Sequence, residues 1–162
     1  MKKGDIEKYK DKIISKLDED FKNKASEMFE NAKNGKVKNI MEKIPYRKVN
    51  QEEATKLKEK TGLELEGYEH EISNMDIRHI YNKHGNEKME SFRGQVAVTE
   101  RDILLIPEIT KKYDDIALSP EVIDGRKMLV YKKEIGDSYY YVEAISDKNK
   151  SLRSKTMYIR KK

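Results

Sequence analysis

The chain has no cysteine in 162 residues. That excludes disulfides, thiolate nucleophiles and cysteine-built zinc sites, though it does not fix the compartment. No stretch approaches 18 consecutive apolar residues, so no transmembrane helix is expected. The first residues, MKKGDIEKYKDK, are basic but lead into no apolar run, which argues against a secretory signal. Neither HExxH nor a P-loop nor GxGxxG occurs, so zinc hydrolysis, ATP hydrolysis and nicotinamide chemistry have no motif behind them. Internal repeats and low-complexity tracts are also missing. Charge is abundant instead. Charged residues make up 40% of the chain and hydrophobic ones 36%, which still suffices for a modest core under a densely charged surface. The net charge of +5 is mild but uneven. Residues 45–125 carry 12 basic and 17 acidic side chains, whereas residues 126–162 carry 11 and 4. The C-terminal segment is therefore the part suited to face a polyanion, although terminal lysines also serve solubility.

All three histidines fall within HEISNMDIRHIYNKHG, residues 70–85. Asn74 is placed to cap a short helix from Met75 to about Lys83, with Gly85 ending it in a left-handed conformation. His79 and His84 stand five residues apart, about 140° around such a helix, which is not an i,i+4 metal pair. No metal site and no cofactor are expected. His70 precedes the helix and reads as structural or exposed.

Before this stretch, residues 5–32 read as one long amphipathic helix through Ile6, Tyr9, Ile13, Leu17, Phe21, Met28 and Phe29, stopped by Asn34-Gly35. Its apolar stripe must pack on the following domain, dimerise, or join a larger protein. A second short helix is expected over Lys36–Lys43. Tyr46–Val49 suits a short strand. Asn50 with Glu53 suits the start of a helix over Gln51–Lys60. After the histidines, Gly85–Gly94 is polar and reads as a loop. Gln95–Thr99 is a strand, and Thr99 with Asp102 signals a short helix bent by Pro107. Short strands are expected over Asp115–Leu118, Lys127–Glu134, Ser138–Ile145 and Leu152–Ile159, with turns at Pro120–Gly125 and Gly136-Asp137.

The expected fold is α+β. Helices pack on one twisted antiparallel sheet of four or five strands, residues 45–162, behind a helical extension of residues 1–44. Alternation along the strands leaves Lys132 and Lys133 as rivals for the open face, since neither face is cleanly polar. A patch of threonine and lysine from neighbouring strands, joined by a histidine from the helix, suits metal-free RNA cleavage. Histidine can move protons near neutrality, lysine or arginine can hold the phosphate as charge develops, and the ribose 2′-hydroxyl is the nucleophile.

The series GYEHEI, IRHIYNKHG, GQVAVTERDILLIPEI, LVYKK with YYYVEAI, and KTMYIRKK resembles the phage-associated branch of the barnase–EndoU–colicin–RelE nuclease superfamily over about residues 45–162. The resemblance implies a compact, usually metal-independent endoribonuclease of toxin or effector type, found in phages and mobile elements. His79 and His84 match the family's histidine-bearing helix, and Gln95, Thr99 and Asp102 its strand-to-helix segment. Lys132 matches the lysine of its central strand, and Thr156 the threonine of its last. His79, His84, Thr99, Lys132 and Thr156 are thus the candidate catalytic residues. Arg153, Lys155 and Lys133 are the candidate nucleic-acid contacts. RNA is the implied substrate, acting in the cytoplasm. An immunity or inhibitor protein is a candidate partner, as is a second copy through residues 5–32. The competing reading is a non-catalytic nucleic-acid- or protein-binding module of a phage or mobile element.

Overall fold

Residues 2–162 are described by a computed structural model. The element order is α1 (Lys3–Ser15), α2 (Glu19–Lys33), β1 (Lys43–Lys48), α3 (Gln51–Thr61), β2 (Glu69–Ser73), α4 (Asn74–His84), α5 (Glu87–Phe92), β3 (Gln95–Val96), α6 (Glu100–Leu104), α7 (Ile106–Lys111), β4 (Asp115–Ile123), β5 (Arg126–Ile135), β6 (Asp137–Ser146) and β7 (Ser151–Arg160).

The fold is α+β, but the sheet is mixed rather than antiparallel and has seven strands rather than four or five. Its order is β1-β2-β7-β6-β5-β4. Among the described residues the one parallel ladder joins β2 to β7, Glu69 to Ser151 through Glu71 to Arg153. A two-residue strand, β3, pairs with the far end of β7 on the same edge, Val96 with Ile159 and Gln95 with Arg160. Between these two ladders β7 has no strand neighbour on that side, and α4 packs there. The histidine-bearing helix therefore lies against the part of β7 that neither β2 nor β3 pairs. One side of it, through Ile77 and Ile80, is fully buried. Its other side borders the opposite face of the sheet.

The expected single N-terminal helix is two. The chain leaves helical geometry at Lys16–Asp18, and the Asp18 side chain accepts the Phe21 N–H to start α2. Glu19 and Asp20 follow in the first turn, where acids suit the helix dipole. The apolar repeat Ile13, Leu17, Phe21 continues across the break, which hides it from periodicity. Neither piece stands apart from the sheet. Phe21, Ala25, Met28, Phe29 and Ala32 are buried, and the Phe29 ring meets Tyr81 of α4 edge-on at 5.5 Å. Ile6 of α1 lies against Gly136 so closely that a Cβ there would come within 2.9 Å of its Cδ1. Gly136 also holds a positive φ of 76°, and this backbone conformation is what selects glycine at the turn.

Four further expectations change, the first being the strand expected over Gln95–Thr99, of which only Gln95–Val96 is strand. Lys36–Lys43 is not helical; its last residue opens β1, which carries Pro45 at a break in the β1–β2 register. The stretch Gly85–Gly94 holds a helix, α5, capped by Asn86 onto the Met89 N–H. The β4–β5 turn is Asp124-Gly125, both with positive φ, and β4 continues past Pro120 through an irregular register. The helix over Gln51–Lys60 forms as expected, with Asn50 accepting the Glu53 N–H.

Candidate active site

The helices α1, α2, α3, α6 and α7 cover the sheet face bearing Leu129, Tyr131, Ile135, Tyr139, Tyr141 and Met157, all buried. Alternation puts the intervening residues on the other face. The register aligns them. Lys132 pairs with Tyr140 and Tyr140 with Tyr158; Val130 pairs with Val142 and Val142 with Thr156. Ser138, Arg160 and Gln95 form a third row. This outer face is partly open: Lys132 keeps 42% of its side chain exposed.

The first row is continuous. The Lys132 ammonium lies 5.7 Å from the centroid of the Tyr140 ring. The Tyr140 and Tyr158 rings stack at 4.9 Å, 8° from parallel. The ring of His84 comes next, 5.8 Å from Tyr158 and tilted by 37°. The Arg160 guanidinium lies 5.4 Å from Tyr140 and 5.8 Å from Tyr158. Two phenols are thus bracketed by lysine, arginine and histidine, and the cation–π contacts of Lys132 and Arg160 keep their charged heads at one place on the sheet. Lys132 has one ionic neighbour here, the exposed Glu134 at 3.7 Å, a pairing that solvent weakens. Gln95 Oε1 is buried and has no hydrogen-bond partner among the described residues.

His84 is oriented from behind. Its Nδ1 lies 3.1 Å from Oε2 of Glu90, which is fully buried on α5 and also receives Arg93 Nη1 at 3.1 Å. A carboxylate on Nδ1 fixes the ring and leaves Nε2 for other chemistry, the pattern of an oriented acid–base histidine. The His84 carbonyl accepts Val98 N–H at 2.8 Å, tying the end of α4 to the segment after β3.

His79 borders the same face farther along α4. It lines a cleft of about 420 Å³ together with Met75, Met128, Ala144, Lys155 and Arg126. Its pKa is lowered by burial and by Lys83, Lys155 and His84, so the neutral imidazole is favoured there. Arg153 also reaches this cleft, but Asp76 holds it through two atoms, Nε at 3.1 Å and Nη2 at 2.8 Å.

The remaining sequence-selected residues lie elsewhere or bond otherwise. Lys133 points to the helical side, 7% exposed, and donates to the Lys112 carbonyl at 2.6 Å. Register thus distinguishes the two lysines that alternation left as rivals. Thr99 caps α6 in a capping box with Asp102, whose other oxygen accepts the Tyr139 hydroxyl on the helical side. The box expected at Thr99 is present, and the structure does not bring its hydroxyl into the Lys132–His84 row. Lys155 occupies the extra position of a β-bulge opposite Val142 and Glu143. The bulge breaks the alternation, so Thr156 pairs with outer Val142 while buried Ser154 pairs with inner Glu143.

Asn74 does not cap α4. Ser73 does, with Asp76 completing a capping box, and Gly85 has an ordinary φ of −94°. The Asn74 side chain instead accepts Glu42 N–H and donates to the Ile40 carbonyl. His70 is fully buried in a separate polar cluster. Nδ1 lies 2.7 Å from Glu143, Nε2 lies 2.7 Å from Glu53, and Tyr46 stacks on the ring at 5.6 Å. Arg47 grips Glu53 with Nε and Nη2, both at 2.9 Å. Burial alone would lower the His70 pKa, but Glu143 and Glu53 outweigh it and raise it. Burial alone would raise Glu53, but His70 and Arg47 bring it down to about 2. Among the described residues, no three histidine, aspartate or glutamate side chains gather as a metal-holding cluster.

Glu90, Tyr140, Tyr158 and Arg160 were not singled out by sequence reasoning. Glu90 was hidden in a stretch read as a loop. The Asn86 cap three residues before Met89 was the available signal for α5. A family model described as phage-Barnase-EndoU-ColicinE5/D-RelE like nuclease3 matches residues 47–162. The chain belongs to this nuclease family. No curated protein and no solved structure matches it. All of the outer-face residues described above lie inside the matched span. The nuclease family's span begins at Arg47, however, so α1 and α2 are outside it. No helix among the described residues is long and apolar enough to cross a membrane.

Proposed function

We propose that the chain is a metal-independent endoribonuclease of toxin or effector type, with the outer face around Tyr140 and Tyr158 as its active site. The observation that carries this reading is the unbroken row Lys132, Tyr140, Tyr158, His84, with Arg160 over both rings. RNA cleavage without a metal needs a proton acceptor for the 2′-hydroxyl, a proton donor for the departing 5′-oxygen, and cations around the phosphate. The row and its neighbours supply each type. In the proposed reaction the 2′-oxygen loses its proton and attacks phosphorus. The new O2′–P bond closes a 2′,3′-cyclic phosphate, the P–O5′ bond breaks, and the leaving oxygen takes a proton. His84, oriented by Glu90, serves in proton transfer. Neutral His79, farther along α4, is the second candidate. Lys132 and Arg160 stabilise the charge that develops on the phosphate, and Thr156 positions a phosphate oxygen. RNA is the substrate and the cytoplasm the place of action, with an immunity or inhibitor protein as the natural partner of such an activity.

The test is incubation of the purified protein with mixed cellular RNA in the presence of a chelator, followed by analysis of the new ends. Cyclic or 3′-phosphate ends with 5′-hydroxyls are expected. RNA left intact under conditions where a control nuclease cuts would reject the catalytic reading. A stacked, cation-flanked tyrosine pair also suits binding without cleavage. Retention of RNA by an inactive protein would favour that binding module.

A further inference from the structure

We propose that the cleft beside His79 seats a nucleotide flanking the scissile phosphate, so that the substrate is a single strand lying along β7. This rests on the reading of the outer face as the RNA site. The cleft and the tyrosine row share that face and are joined by one strand. From Tyr158 back to Lys155 the register advances two to three strand positions across the bulge, about 7–10 Å. That separation suits neighbouring nucleotides of one chain, one with its phosphate at the row and the next with its base in the cleft. A duplex would hold its bases stacked and paired, away from a pocket of this kind, whereas unstacked single-stranded bases can be splayed into protein.

The lining has the chemistry for a base and a phosphate together. Met75, Met128 and Ala144 give an apolar floor, and Met128 and Ala144 are themselves buried. At about 420 Å³ the cleft falls within the range of small-ligand pockets. Arg126 and Lys155 stand at its walls and enter no ion pair among the described residues. Arg153 is different: Asp76 already occupies its fork, so it braces the wall and is not free to grip a phosphate. The Lys155 bulge explains why this cation is available. Its extra position in β7 turns its side chain out of the ladder's alternation toward the cleft. Asp124, on the β4–β5 turn, is the one carboxylate of the lining other than Asp76, and it can accept from a base amino group.

The experiment measures binding separately from cleavage. Uncleavable 2′-O-methyl oligonucleotides of two, four and six nucleotides are titrated into the whole protein and into an Arg126→Ala, Lys155→Ala double variant, at several salt concentrations. Neither substituted residue belongs to the core, so the fold should persist; Lys155→Gln alone repeats the test with less loss of side chain. Wild-type affinity should rise by about tenfold or more from the dinucleotide to the tetranucleotide, the scale of one well-seated base. The double variant should lose that step and flatten the salt dependence by roughly 0.7 per lost phosphate contact. No step in the wild type, or a step unaffected by the double variant, overturns the cleft proposal. Cleavage is then read on ordinary RNA of the same lengths. A binding step without cleavage of any length would leave the cleft standing and remove the catalytic reading. Cleavage with the same KM for dinucleotide and tetranucleotide would do the reverse.

Discussion

The carboxylate of Glu90 is fully buried and lies 3.1 Å from Nδ1 of His84, so a helix that reads as a loop supplies the group behind the histidine. A buried carboxylate without such a partner would be costly, and here it is shared between His84 and Arg93. If the pair acts in proton transfer, Glu90 is a positioning residue and should affect turnover through His84. Glu90→Gln should lower kcat by about 10- to 100-fold with KM nearly unchanged, and Glu90→Asp should recover part of the loss. His84→Ala should cost more, and adding Glu90→Gln to it should cost little further, because the two act as a unit. Additive losses would mean that Glu90 matters only for folding.

Lys132 of β5 and Arg160 of β7 approach the Tyr140 ring from the two strands that flank β6, so their contributions can be separated from simple RNA attraction. Lys132→Met keeps the length and packing of the side chain while removing its charge. In the proposed reaction kcat should fall by ~10²-fold or more, as for loss of one preorganised electrostatic contact. A Lys132 that only steers RNA would instead weaken binding and reduce its salt dependence, leaving the chemical step intact. Single-turnover rates at saturating protein distinguish the two outcomes.

Part of the candidate site is legible in sequence and part is not, for reasons that are physical. His79 and His84 stand out as candidates because a short helix and three clustered histidines are local signals. Lys132 and Thr156 are candidates by resemblance, but telling outer-face Lys132 from inward Lys133 needs the register of β5 on β6, which is a long-range fact. Tyr140 was masked by its two tyrosine neighbours, since only alternation against a known core tells Tyr139 and Tyr141 from it. The parallel β2–β7 ladder joins segments some eighty residues apart, and no turn chemistry announces such a pairing. The break at Asp18 was concealed because the apolar repeat runs through it, although the acids at residues 18–20 were the visible sign of a new helix start.

His70 should prove essential for stability rather than for turnover. It is the link between Glu53 and Glu143, and its removal leaves the fully buried Glu143 without its imidazole partner. His70→Ala should cost about 3–5 kcal/mol, the range for breaking a buried ion pair, and lower Tm by roughly 10 °C. The same cluster predicts a pH dependence. Because the Glu53 pKa is lowered to about 2, its stabilisation is present above the ordinary glutamate range and is lost as pH falls toward 2. Because the His70 pKa is raised, its contribution is complete below the ordinary histidine range and declines as pH climbs through its raised value. Thermal melts across pH should therefore show a maximum in mildly acidic solution that flattens in His70→Ala. An unchanged profile would remove the cluster from the account.

The nuclease family match begins at residue 47, but the core does not. Phe21, Ala25, Met28, Phe29 and Ala32 are all buried, and α2 packs on α4, the helix that carries His79 and His84. Burying Phe21, Met28 and Phe29 alone is worth about 1.5–3 kcal/mol each. Together that is about 5–9 kcal/mol, comparable with the whole stability of an ordinary domain at roughly 5–15 kcal/mol. A fragment of residues 47–162 would also lose most of β1, which pairs with β2 immediately before α4. It should therefore lack a cooperative thermal transition, and α4 should lose protection from hydrogen exchange before β5 and β6 do. The full chain should show one transition. A fragment that melts sharply near the temperature of the full chain would establish that α1 and α2 are dispensable, and the α2 contact with the histidine helix would then have no part in holding the site.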